Sequence, residues 1–314
     1  MDRVREAALG FLWSLWTELG VPGPNRRHTN AVIDPERLII STPSLARDDP
    51  RLLDLAFAWC VQHAHRVSSS RISALLREAR ADVRFAAEQM LGELAGEGVV
   101  LARAEPRPSP RPRDSRSILV QVERPALLRL RVRALAGVSG RADVLLALLS
   151  SPSNWASAGD LDDAGIAKRN VARILSELAE AGIAHTRQRG NVHEFRLAHA
   201  AALGELVAVP AFALFPAWRS IFDWMHLVDE LGGLPVDRPA TMRVEVARRR
   251  DTLESIAATL ALPKPTLPLA SDQVTSALLT WGNAVAEDIA AGVGPLWEPR
   301  EAVRTDDARS GHRK

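Results

Sequence analysis

The sequence predicts a mainly α protein, with a small β-hairpin in a central helix-turn-helix unit and helical regions on its N- and C-terminal sides. Three observations carry this. Val171, Ile174, Leu175 and Leu178 recur at i, i+3, i+4 and i+7, the spacing of one helix face. Gly182 follows where a left-handed residue would stop that helix, and 183–197 then reads as two short strands around Gln188-Arg189-Gly190-Asn191. Apolar residues at helical spacing recur on both sides of this unit, without an internal repeat of useful length.

The first helix of the chain places Val4, Ala7, Ala8, Phe11, Leu12, Leu15 and Leu19 on one face with Trp16, and the turn at 20–24 ends it. Asp34-Pro35 and Thr42-Pro43 then read as turn signals around a short extended piece at 38–40. Asp49 caps a helix with Pro50 in its first position, where the missing N–H would have had no helical partner, and this helix runs to about His65. Ser68 to Ser70 break the chain before two more helices over 71–81 and 83–95, which close at Gly96 and Gly98.

Residues 103–117 interleave Pro106, Pro108, Pro110 and Pro112 with Arg107, Arg111 and Arg113, a composition too polar to order itself, and read as a stiff linker or disordered loop. In 127–136 leucines alternate with Arg129, Arg131 and Arg133 as in a strand, yet the Leu/Arg/Ala content favours helix. Beyond the hairpin, 200–207, 218–231, 242–260 and 272–291 read as four helices. The expected organisation is therefore a helical region 1–102, a linker 103–117, the central unit 118–198, a helical region 199–298 and a frayed tail 299–314.

Composition excludes several classes. The formal net charge of the 314 residues is only +2, so any contact with nucleic acid needs locally concentrated charge. Cys60 is the one cysteine, which rules out an intramolecular disulfide and a Cys-rich zinc site and fits a reducing, cytoplasmic setting. The N-terminal segment lacks the apolar core and cleavage site of a signal peptide. The most apolar stretch, 197–218, is broken by His199, Glu205, Pro210 and Pro216, so no membrane span is expected.

Within the central unit, 141–150 supplies a first helix buried through Val144, Leu145, Leu148 and Leu149. Ser157 is expected to cap a short second helix through Leu161 and Ala164, with Asp160, Asp162 and Asp163 at its N-terminal end. Gly165 makes the turn, and the third helix starts near Ala167. Its outer face offers Arg169 and Arg173, whose planar forks suit guanine or phosphate, and Asn170, whose amide suits adenine. Lys168 suits a phosphate, and Arg187, Arg189 and His193 lie on or near the hairpin. Helix, turn, helix and basic hairpin in that order are a DNA-reading arrangement.

The run Ala167-Lys168-Arg169-Asn170-Val171-Ala172-Arg173, with Leu175, Leu178, Ala181-Gly182-Ile183 and the hairpin Arg187-Gln188-Arg189-Gly190, resembles the winged helix-turn-helix transcriptional regulators of the MarR and ArsR type. The resemblance covers roughly sixty residues. It implies a regulator, a repressor in the first instance, that binds double-stranded DNA as a homodimer, with the third helix in the major groove and the wing on the neighbouring minor groove or backbone.

Two other readings remain open. A winged helix also serves as a protein-interaction module, for example an antitoxin-like partner of another protein. An enzyme with its site in the N-terminal helices is the third reading. The expectation is nevertheless no catalytic residue and no cofactor, because no nucleophile elbow, phosphate-binding Gly-rich loop, dinucleotide fingerprint or His-Glu-x-x-His motif occurs. Cys60 and His63 lie one helical turn apart, but His65 points elsewhere and no second ligand pair is near. No metal site is expected there, only a buried cysteine beside a surface histidine. The eight tryptophans, Trp155 among them, fall among Leu and Ile on helical faces and are read as core. Arg248-Arg249-Arg250 reads as a solvated helix face.

Overall fold

A computed structural model describes residues 2–23, 26–111, 123–150, 155–161, 165–210, 213–233, 239–268 and 273–297. Among them the chain is mainly helical, with one small three-stranded antiparallel sheet.

Helix α1 (Asp2–Glu18) buries Phe11, Leu12, Leu15 and Trp16. Helices α2 (Pro35–Leu45) and α3 (Pro50–His63) start in the same way, with an aspartate cap and proline in the first position. Asp34 Oδ1 accepts from Arg37 N at 3.1 Å, and Asp49 Oδ1 from Leu52 N at 2.9 Å. The extended piece expected at 38–40 is therefore wrong: this stretch is the middle of α2, and Pro43 sits inside the helix. An interior proline costs about 3 kcal/mol. Leu38, Ile39 and Ile40 are all buried, at roughly 1.5–3 kcal/mol each, so tertiary burial outweighs the break.

Ser68 caps α4 (Ser69–Glu78), and α5 (Ala81–Gly96) follows. The Pro/Arg segment does not behave as a free linker over 103–111. It lies along α5, with Arg107 N donating to Gly92 O at 2.9 Å. Arg107 reaches Gln89, and Arg111 reaches Glu93 and Asp54 at 2.9 and 2.7 Å. Two glycines permit this approach: a Cβ on Gly92 would sit 2.7 Å from Glu105 O, and one on Gly96 1.9 Å from Arg107 O. Residues 112–117 of the expected linker lie outside the described residues.

The central unit opens with a 3-10 turn (Pro125–Leu127) and α6 (Leu128–Ala136), so the alternating Leu/Arg run is helical as its composition suggests. Helix α7 (Gly140–Ser150), strand β1 (Ala156–Ser157), helix α8 (Lys168–Glu180) and strands β2 (Ala184–Arg189) and β3 (Val192–Leu197) complete it. The sheet order is β1-β3-β2, and β2 and β3 pair from Ala184↔Leu197 to Arg189↔Val192 around the expected tight turn.

The short second helix expected from Ser157 is not what 155–161 form. Ser157 ends β1, paired with Glu194 of β3, and its N–H and hydroxyl both donate to Asp160 Oδ2 at 2.8 Å to close a turn. A strand partner and a side-chain turn thus replace the helix cap. Asp162, Asp163 and Ala164 lie outside the described residues. The core of this unit combines Val144, Leu148, Val171, Leu175, Leu178, Phe195 and Leu197.

Helix α9 (Ala200–Leu206) leads back to α10 (Trp218–Gly232), α11 (Pro239–Thr259) and α12 (Val274–Ala291), then a 3-10 turn at Pro295–Trp297. Helix α12 packs along α1, and the core that holds Phe11, Trp16 and Trp59 also takes in Trp218, Trp224, Val285 and Ile289. The N- and C-terminal helical regions thus close into one body, and the central unit, between α5 and α10 in chain order, joins it through Leu127 and Leu130 in the same core. The run Arg248-Arg249-Arg250 on α11 is neutralised by Glu245, Glu230 and Glu254. The tail 299–314 lies outside the described residues. No described helix is long and apolar enough to cross a membrane.

Candidate functional site

Helix α8 divides cleanly. Val171, Ile174, Leu175 and Leu178 are buried, whereas Lys168, Arg169, Asn170 and Arg173 on the opposite side are exposed. The helix ends as expected, with Gly182 at φ +73°. Its entry is set by Gly165 at φ +65°, where a Cβ would lie 2.7 Å from Arg71 Nε, so both conformation and space demand glycine. Arg173 pairs with Glu177 one turn on, and Arg141 at the start of α7 pairs with the same carboxylate at 2.9 Å. The hydrogen bond from Arg141 leads in holding the Glu177 pKa below its usual value, with Arg173 adding to it. Among the described residues neither Lys168 nor Arg169 makes an ion pair.

Strand β2 packs beside α8, which brings the hairpin next to this face. Arg187, Arg189 and His193 are exposed. Arg187 faces Glu194 across the ladder and donates to it at 2.6 Å, while Arg189 lies 3.8 Å from the same carboxylate. Trp155 is not core. It is half-buried at the root of the hairpin, with the guanidiniums of Arg187 and Arg196 at 4.5 and 5.0 Å from its ring. Such contacts are worth about 0.5–1 kcal/mol at exposed sites, enough to orient both arginines. Sequence reasoning missed Arg141, Arg196 and Trp155. The i, i+2 relation of Glu194 to Arg196 put them on one hairpin strand, but nothing local showed that Trp155 lies beside it.

The largest concentration of buried charge lies where the central unit meets the helical body. Asp34, Glu36 and Arg71 of the body and Arg129, Arg133 and Asp143 of the central unit are all buried. Arg71 takes both oxygens of Asp34 at 2.5 and 2.6 Å and reaches Glu36 at 2.9 Å. Arg133 takes both oxygens of Glu36 at 2.5 and 3.0 Å and continues to Asp143 at 3.0 Å, which Arg129 completes at 2.5 Å. Burial pushes the Asp34 carboxyl upward, but the guanidiniums of Arg71 and Arg129 prevail and hold it well below the usual range. Glu36 behaves alike, with Arg133 and Arg71 overcoming burial. Three buried acids face three buried arginines, with half-buried Arg37 at the edge 3.4 Å from Asp34, and the cluster locks the two units together.

Above this lock, a cleft of about 260 Å³ separates α4 from the start of α8, with Arg77 on one wall and Asn170 and Arg173 on the other. Elsewhere, Cys60 is buried and its thiol pKa is pushed up by burial. His63 is also buried, against the Trp59 ring at 4.9 Å, rather than at the surface as expected. Its pKa falls to about 4, burial leading. Among the described residues no group of three or more His, Cys, Asp or Glu side chains is placed to hold a metal. No protein-family profile, curated protein or solved structure is found to match this chain.

Proposed function

We propose that the central unit is a winged helix-turn-helix domain, with α8 as recognition helix and the β2–β3 hairpin as wing, and that the protein is a sequence-specific DNA-binding regulator, a repressor in the first instance. The observation that carries the reading is the openness of one face. Lys168, Arg169, Asn170, Arg173, Arg187, Arg189 and His193 are all exposed on α8 and the adjoining hairpin, and the C-terminal helices pack on α1 instead. Arg169 and Asn170 are the base-reading groups; Lys168 and the wing arginines contact backbone. The reading includes a homodimer on a two-part site, its recognition helices about one DNA turn, ~34 Å, apart.

The test is binding of a mixed-sequence duplex at two salt concentrations. Wild-type protein should bind at low salt, and Arg169→Ala and Arg173→Ala should each reduce the slope of log affinity against log salt by about 0.9 per lost phosphate contact or, where the arginine reads a base, weaken binding with little change of slope. Absence of binding at low salt, or affinity indifferent to both changes, refutes it.

One observation favours a second reading, a protein-docking module. Arg173, Arg187 and Arg189 are already engaged by Glu177 and Glu194, which lowers the net charge of the face. A co-purifying protein that covers α8 and that duplex DNA fails to displace would establish that reading instead.

A further inference from the structure

Resting on the DNA reading above, we infer that the DNA-contact surface continues from the central unit onto the helical body, and that the cleft between α4 and α8 seats a backbone phosphate held by Arg77. The cleft is lined by Ser70 and Arg77 of α4 and by Asn170 and Arg173 of α8. At about 260 Å³ it holds the equivalent of roughly eight waters, room for a phosphate and part of its hydration. Arg77, Asn170 and Arg173 are exposed, so it opens to solvent on the side of the proposed reading face.

The charges in the cleft fall into two groups. Arg71 and Asp143 at its floor are committed to the buried lock and neutralise each other's surroundings. Arg77 donates only to Ser73 O at 3.3 Å and, among the described residues, makes no ion pair, so its charge is available. Arg173 is tied to Glu177 by an exposed i, i+4 contact of the weakest kind, which a phosphate readily displaces. Two guanidiniums and one hydroxyl converge on the opening and can donate to a phosphate oxygen, while the Asn170 amide is left for the base edges.

The position agrees with groove geometry. A helix with its side chains is about 10–12 Å across and fills a major groove about 12 Å wide, so the sugar-phosphate walls run directly beside it. A basic side chain facing the first turns of α8 from a neighbouring helix therefore meets backbone, not bases. Because the buried lock fixes α4 relative to the central unit, Arg77 arrives in a set position and adds register without sequence preference.

The experiment measures affinity of the full chain for a labelled mixed-sequence duplex across a salt series, with Arg77→Ala, Arg77→Lys, Arg169→Ala and Arg248→Ala alongside wild type. Arg77→Ala should lower affinity at low salt by roughly three- to tenfold and reduce the salt slope by about 0.9, with an unchanged thermal midpoint. Arg77→Lys should restore the slope. Arg248→Ala removes an exposed charge on α11 away from the cleft and should change neither quantity. If Arg169→Ala weakens binding while Arg77→Ala leaves slope and affinity at wild-type values, the phosphate seat is wrong and the DNA reading survives. If Arg248→Ala has the same effect as Arg77→Ala, the effect is diffuse charge and the seat is again wrong. If wild-type protein fails to bind the duplex at low salt, both fall.

Discussion

Replacing Arg133 by methionine tests the buried lock most sharply. The guanidinium bonds Glu36 through both oxygens, Asp143 through both, and Arg66 O at 3.0 Å, all in a region nearly closed to water. Its loss leaves three buried acids facing two buried arginines, with Arg37 reaching Asp34 from the edge. Removing one partner of a buried pair costs about 3–5 kcal/mol, a large share of the roughly 5–15 kcal/mol that holds a domain folded. The thermal midpoint should fall by on the order of 10 °C, and the urea midpoint should fall with it.

The second variant makes the reasoning specific to charge. In Glu36→Leu/Arg133→Met the remaining groups form two one-to-one pairs, Arg71 with Asp34 and Arg129 with Asp143, and the buried acids and arginines are again equal in number. The double variant should be more stable than Arg133→Met alone, even though it removes more hydrogen bonds. Urea unfolding of wild type, both single variants and the double variant closes the cycle. A double variant as unstable as the sum of the singles would refute the account and leave Arg133 as a packing residue.

Two other expectations follow from the fold. Burial holds His28 and His226 near a pKa of about 4, against 6.5 in a solvated chain. Below pH 6.5 the unfolded state takes up protons that the folded state refuses, so stability is complete above 6.5 and declines towards 4, by at most about 3 kcal/mol for each histidine. Thermal melts between pH 7 and 4.5 should show the decline, and His28→Gln should flatten it; a midpoint constant over that range would contradict the assignment. Gly96→Val places a side chain where Arg107 O now lies, 1.9 Å from the would-be Cβ, and should lift the 103–111 segment off α5 at a cost of about 1–3 kcal/mol. Trypsin should then cut after Arg103, the arginine of this segment not followed by proline, faster than in wild type, and unchanged digestion would show that the glycines are not what admits the segment.

Much of the local structure was legible from residue spacing. The face of α8, the hairpin turn around Gly190 and the Asp49-Pro50 cap all follow from rules that operate within a few residues. The Asp34-Pro35 cap obeyed the same rule and was readable too; Pro43 hid it, because the burial that overrides a proline is not written in neighbouring residues. The Ser157 cap failed for the opposite reason, since Glu194 of a strand 37 residues later claimed its backbone.

For the candidate site, the amino-acid sequence by itself determined which side chains stand outward on α8 and on the hairpin, because helix and strand periodicity orient side chains without reference to the rest of the chain. Only the tertiary structure decided what those side chains face. Arg71 and Arg133 look like any solvated helix charges, yet their partners are 37 and 97 residues away. Arg77 gains its proposed role by standing across a cleft from Asn170, and Trp155 leaves the core for the hairpin arginines. Pairings of that kind depend on how distant segments close on one another, and a pattern with a period of two or 3.6 residues carries no information about that closure.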